Sequence, residues 1–142
     1  HSHVIPSLVR KFFEAQQTGA AVMVWGDGSA ERDFCFSEDA ARALYLIMQH
    51  QTGAVNLGSG EVASIAQIVR LLSKMTGVQD IIWDHDKPNG QSHRSYDLSR
   101  LARCGFTAHY SLAEGLQKTY DWYVKNALTA RKNSFIHQLS ES

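Results

Sequence analysis

The stretch "VMVWGDGSAERDFCFSEDAARAL" (residues 22–44) sets the class of the chain. Its first five residues are β-branched, aromatic or otherwise apolar, as suits a short strand. Gly26 and Gly28 then flank Asp27 and open a turn. From about residue 38 the period changes. Ala41, Leu44, Tyr45 and Met48 recur at helical spacing, so a helix is expected over 38–50. Ser37 is its expected cap, and Glu38 and Asp39 favour the positive end of the helix dipole.

Working outward, the same alternation recurs. Toward the amino terminus, a helix is expected from Val4 to Thr18, with Pro6 in its first turn and Gly19 at its exit. Toward the carboxy terminus, "AVNLGSG" (54–60) reads as a strand ending in a glycine turn. Ser64 and Gln67 have capping-box spacing. They open a third helix whose apolar stripe is Ile65, Ile68, Val69, Leu72 and Met75, closed by Gly77. "DIIWD" (80–84) is another strand candidate, followed by a loop with Pro88 and Gly90. A short helix is expected over 97–104. A second capping box, Ser111 with Glu114, opens a helix expected to run to about Ala127 on the stripe Leu112, Leu116, Thr119, Tyr120 and Tyr123. Helices alternating with short strands make the class α/β or α+β, with the folded part at 1–127 and a less periodic tail at 128–142.

Composition narrows the function. Lys+Arg and Asp+Glu both number 14 in 142 residues, so the formal charge is zero. A nucleic-acid binder shows a basic excess, and none is present. No apolar run has the length of a membrane span. The two cysteines, Cys35 and Cys104, have neither metal nor redox spacing. A reducing, cytoplasmic setting is the expectation. No G-x-S-x-G, Walker loop, zinc spacing or Y-x-x-x-K pair occurs.

"GSGEVA" (58–63) matches the dinucleotide fingerprint G-x-G-x-x-A. That site needs the glycine turn to feed straight into a helix, so that helix amides meet the pyrophosphate. Here the cap signal lies at Ser64, beyond the turn, and the expectation is a decoy.

Several stretches, in this order, resemble one family: "SHVIPSLVRKFFEA" (2–15), the opening segment, "VNLGSGEVASIAQIVRLLSKMTG" (55–77), "DKPNGQSHRSYDLSRL" (86–101) and "SLAEGLQKTYDWY" (111–123). Together they resemble the carboxy-terminal part of the extended short-chain dehydrogenase/reductases that act on nucleotide sugars, closest to the GDP-L-fucose synthase group. The resemblance implies a small substrate-binding domain of an NAD(P)-dependent epimerase/dehydratase. It also implies that the Rossmann domain, with its NADP(H) loop and Tyr–Lys catalytic pair, is missing here. Such a chain is an isolated domain, a shortened chain or the product of a split gene. It binds no cofactor itself and turns over no substrate alone.

The resemblance also assigns roles. Arg32, ahead of Asp-Phe, lies against the diphosphate of the nucleotide sugar; a surface salt bridge is the bland alternative. Trp25 is a pocket wall, or else a core tryptophan ending a strand. Lys11 is aimed at phosphate, or else simply solvated. Asn89 stands where some relatives carry an aspartate that contacts substrate. Arg94 is a weaker phosphate candidate. His3 matches an acid in C3/C5 epimerisation, work that suits imidazole. The expected partners are a nucleotide-diphosphate sugar and the missing Rossmann domain. Apolar surface left open on helices 38–50 and 63–76 leads us to expect self-association, as a homodimer.

Overall fold

The structure, a computed structural model, describes residues 3–140 apart from Pro88 and Gly90, with side chains as far as Ala127. Two residues of the "KPNG" loop and the side chains of the 128–142 tail therefore lie outside the described residues.

Helix α1 spans Val4–Thr18 and ends at Gly19, whose φ of 72° is left-handed. Its apolar face buries Leu8, Val9, Phe12, Phe13 and Ala15. The chain returns as strand β1, Val22–Trp25, with Val22 and Val24 turned inward and Met23 and Trp25 outward. After the glycine turn comes β2, Glu31–Asp33, then helix α2, Ser37–His50. Strand β3, Val62–Ser64, leads into helix α3, Ile65–Thr76, which ends at left-handed Gly77. Strands β4 (Ile81–Asp84) and β5 (His93–Arg94) follow, then helices α4 (Ser99–Arg103) and α5 (Leu112–Ser140).

Two small sheets result. β1 and β4 pair in parallel, Val22 opposite Ile81 and Trp25 opposite Asp84. The second sheet has the order β3-β2-β5, with β2 antiparallel to β3 and parallel to β5. The core lies where α1, α3 and α5 close over β1. Phe12, Ile68 and Leu72 are fully enclosed there, alongside Leu116 and Tyr120 of α5. The Tyr120 hydroxyl donates to Gln16 Oε1 at 2.9 Å, so α5 is tied to α1 by a polar bond as well as by packing.

Both capping boxes form. Ser64 Oγ accepts from Gln67 N–H, while Gln67 Oε1 accepts from Ser64 N–H at 2.7 Å. Ser111 and Glu114 make the same reciprocal pair at the start of α5. Ser64→Ala is expected to cost about 1 kcal/mol, read as a fall in the urea midpoint with an unchanged slope.

Three expectations are corrected. Ser37 is the first helical residue of α2, not its cap; Phe36 holds that place, with no side-chain cap bond. The segment 54–60 is not a strand: no neighbouring strand lies beside it among the described residues, and an extended segment becomes a sheet strand only by pairing. The strand forms instead at Val62–Ser64, where β2 supplies a partner. Finally, α5 runs on to Ser140 rather than ending near Ala127.

Candidate functional site

A cleft of about 460 Å³ opens between α1, the end of β1 and β2. The residues lining it include Ser7, Arg10 and Lys11 from α1, Trp25 from β1, Arg32 from β2, and Asn89 from the loop after β4. Four residues singled out in the sequence, Lys11, Trp25, Arg32 and Asn89, thus come from separate segments to one cavity. Among the described residues, no carboxylate lines it.

Each side chain is held differently. Trp25 is 57% exposed, which removes the reading as a core tryptophan. It points outward because β1 alternates and Val22 and Val24 take the inner positions. Lys11 is half-buried, and its Nζ donates to the Met23 carbonyl at 2.7 Å, so it is not simply solvated. Arg32 donates through one guanidinium nitrogen to the neighbouring Glu31 carbonyl at 2.6 Å. It forms no ion pair among the described residues, so the salt-bridge alternative fails. Asn89 Oδ1 accepts the Asp27 N–H at 2.8 Å and clips its loop to the glycine turn. Ser29 bonds, with Asn89 after them, hold the Asp27 carboxyl below its usual range. His3 is exposed at the start of α1, where its carbonyl accepts the Ser7 N–H; it precedes the cleft residue Val4 and does not itself line the cavity.

Two features were not legible in the sequence. Arg10 lines the cleft one position before Lys11, and it reaches Glu14 only at 4.0 Å in an exposed pair. The register of β2 with β5 puts Arg32 directly opposite Arg94, and Glu31 opposite His93. Glu31 and His93 form an ion pair at 3.0 Å. The two arginines thus hold paired positions in the sheet with like charge, which is unfavourable where nothing offsets it. Arg94 is thus a sheet neighbour of Arg32, and it does not line the cleft.

The glycine turn of "GSGEVA" is already filled. Asp33 Oδ1 accepts from Ser59 N–H and Ser59 Oγ, and Oδ2 accepts from Gly60 N–H, all at 2.8 Å. A Cβ at Gly58 would stand 2.6 Å from the Asp33 carboxylate, so only glycine allows that approach. The first amides of α3 are also taken: Ile65 N–H by the Ala30 carbonyl and Ala66 N–H by that of Gly28. The residues present therefore do not fit a dinucleotide pyrophosphate at this turn.

A second hollow, of about 470 Å³, lies between residues 33–37 and the start of α5. Cys35 lines it, but burial, then Asp39 and Asp33, push its thiol up from the ordinary value, the wrong direction for a nucleophile. Among the described residues, no helix is long and apolar enough to cross a membrane.

Residues 1–58 match the family described as "NAD dependent epimerase/dehydratase family". The chain is 40% identical over 136 residues to a probable GDP-L-fucose synthase of Oryza sativa subsp. japonica, spanning 93% of this chain and 42% of that protein. It is 32% identical to the GDP-L-fucose synthase of Escherichia coli (strain K12), spanning 89% of this chain and 43% of that protein. A crystal structure of a GDP-L-fucose synthetase from Naegleria fowleri bound to NADP superposes with a TM-score of 0.83 at 27% identity, over 90% of this chain and 42% of that one. In each case the chain spans about two-fifths of the relative's length. Its mixed α/β structure is thus part of the epimerase/dehydratase fold, and the chain is similar over nearly all its length to the carboxy-terminal part of the GDP-L-fucose synthases.

Proposed function

We propose that this chain is the nucleotide-sugar-binding portion of an NAD(P)-dependent epimerase/reductase resembling GDP-L-fucose synthase. The observation that carries the reading is the convergence of Lys11, Arg10, Trp25 and Arg32 on one cleft without a lining carboxylate. Such a surface suits a diphosphate. The Arg32 guanidinium offers a planar fork to two phosphate oxygens, and the ammonium of Lys11 acts as a point charge. Trp25 gives a flat wall against which a ring of the ligand can lie. Asn89 holds the turn that carries this wall.

In this reading the chain works with a Rossmann domain that it does not contain. NADP(H) is bound there and supplies hydride transfer, and the chain alone is not catalytic. His3 serves as the acid in epimerisation once the whole site is assembled. Residues 1–127 form the binding domain and 128–142 a tail. The supporting fact for a separate cofactor site is the Asp33 carboxylate inside the only fingerprint-like turn of the sequence.

The test is amide NMR of the chain titrated with GDP. Ser7, Lys11, Trp25 and Arg32 are expected to shift, and Gly58–Gly60 to stay in place. Shifts confined to Gly58–Gly60, or none at millimolar ligand, would overturn the reading. NADPH is expected to leave the spectrum unchanged under the same conditions.

A further inference from the structure

Among the described residues that line the cleft, Ser7 alone carries a hydroxyl. Its backbone is used in α1, where the Ser7 N–H donates to the His3 carbonyl. Its side chain is not. Thr18, Thr76 and Thr119 turn their hydroxyls back to a carbonyl four residues earlier, those of Glu14, Leu72 and Gly115. Ser7 has the His3 carbonyl at the same spacing, yet among the described residues its Oγ has no hydrogen-bond partner. The other polar groups of the cleft differ in kind. Arg10, Lys11 and Arg32 are cations that only donate. Asn89 Oδ1 already accepts the Asp27 N–H. Ser7 is therefore the neutral group left to both donate and accept. On α1 it stands one turn before Lys11, about 6 Å along the axis and on the same side of the helix. One turn further lies His3, at the start of the helix.

We propose that Ser7 determines recognition of the sugar: its hydroxyl holds a ring hydroxyl of the glycosyl group while Lys11 and Arg32 hold the diphosphate. This role rests on the nucleotide-sugar reading of the cleft and adds the group that reads the sugar. A sugar hydroxyl has one donor and two acceptor lone pairs, and a serine hydroxyl can meet it in either direction. The cations are matched instead to phosphate oxygens, which only accept. The glycosyl group is bonded directly to the terminal phosphate. Its first hydroxyls therefore fall within one helical turn of the side chain that holds that phosphate, which is the separation of Ser7 from Lys11. The direction follows from His3. With the epimerisation acid at the start of α1, the sugar extends from Lys11 past Ser7, and the nucleoside extends the other way. Because Ser7 Oγ is not tied to the His3 carbonyl, the new bond breaks none within the chain and replaces only a bond to water.

The experiment measures the dissociation constants of GDP and of GDP-L-fucose by ligand-observed NMR, using the full chain as wild type, Ser7→Ala and Ser7→Thr. Ser7→Ala is expected to weaken GDP-L-fucose about three- to tenfold and GDP by less than about twofold, the loss of one neutral hydrogen bond confined to the sugar. Ser7→Thr keeps the hydroxyl and is expected to hold GDP-L-fucose within about twofold of wild type. The thermal midpoint of Ser7→Ala is expected to be unchanged or slightly raised, since no internal bond is lost and alanine favours the helix. Equal losses for the two ligands in Ser7→Ala would place the hydroxyl on phosphate or ribose and overturn the sugar role. No loss for either ligand would overturn it as well, and both results leave the nucleotide reading of the cleft standing. A wild type that binds neither ligand would overturn that reading and the role of Ser7 with it.

Discussion

Arg32→Ala is expected to lower the affinity of this chain for GDP by roughly ten- to a hundredfold. Charge-assisted hydrogen bonds of the kind a guanidinium makes to phosphate are worth about 1.5–3 kcal/mol, and about 1.4 kcal/mol is a factor of ten. Arg32→Lys keeps the charge but loses the fork, and is expected to fall between wild type and alanine. Arg70→Ala, on the exposed side of α3, is expected to change nothing. The stability of these variants discriminates further. Arg32 faces Arg94 across the β2–β5 pair, so removing one like charge should leave the thermal midpoint of the free protein unchanged or raised. Loss of binding without loss of stability is the signature of a ligand contact. Ligand-observed NMR with GDP and a GDP-sugar measures the first quantity, and thermal unfolding the second. Equal GDP binding by wild type and Arg32→Ala would leave the loop as a turn only, and a sharply lower midpoint would make Arg32 structural.

The largest effect on stability is expected at Asp39. This carboxylate is 1% exposed on α2, yet it is fully bonded: it accepts from His109 N–H and Tyr110 N–H at 3.0 Å and from Arg42 at 2.7 Å. It ties α2 to the loop that launches α5. Asp39→Ala strands two backbone donors and a guanidinium, at a cost of about 3 kcal/mol. For a chain of this size that is a fall of roughly 6–12 °C in Tm.

The same residue sets a pH dependence. Burial opposes its charged form, but the amides of Tyr110 and His109 and the Arg42 guanidinium outweigh that, holding the carboxyl below its ordinary value. A folded-state pKa below the unfolded one gives stability that is present above the unfolded value, near 4, and lost as pH falls through the folded value. Asp39→Asn keeps an acceptor but cannot titrate. Its deficit against wild type is therefore expected to be largest at neutral pH and to shrink below pH about 4. A constant difference in Tm across the acid range would show that Asp39 is not the titrating group.

Local spacing is enough to read the parts of this protein that depend on neighbours three or four residues apart. The span Val4–Thr18, the capping boxes at Ser64 and Ser111, and the glycine exits at Gly19 and Gly77 are all local matters of hydrogen bonding and backbone conformation. The stripe on α3 was equally readable, because Ile68, Val69 and Leu72 recur with the helical period and are buried together. Arg32 and Trp25 were found through the stretch around them, and Arg10 was passed over because an arginine beside a lysine on a helix reads as a solvated face. The sheets depend on partners that the fold brings together. "AVNL" has a strand's composition but no neighbour, whereas Val62–Ser64 gains one from β2, and no residue-level preference encodes the presence of a partner. The same reason governs the α2 stripe: helical spacing marks an apolar face but not what covers it, and the described residues leave it open, as expected for helix 38–50. It also governs the cleft. That Arg32 stands opposite Arg94, and that Asp33 fills the glycine turn, follow from pairing between segments tens of residues apart, where hydrogen-bond register rather than spacing along the chain determines which charges meet.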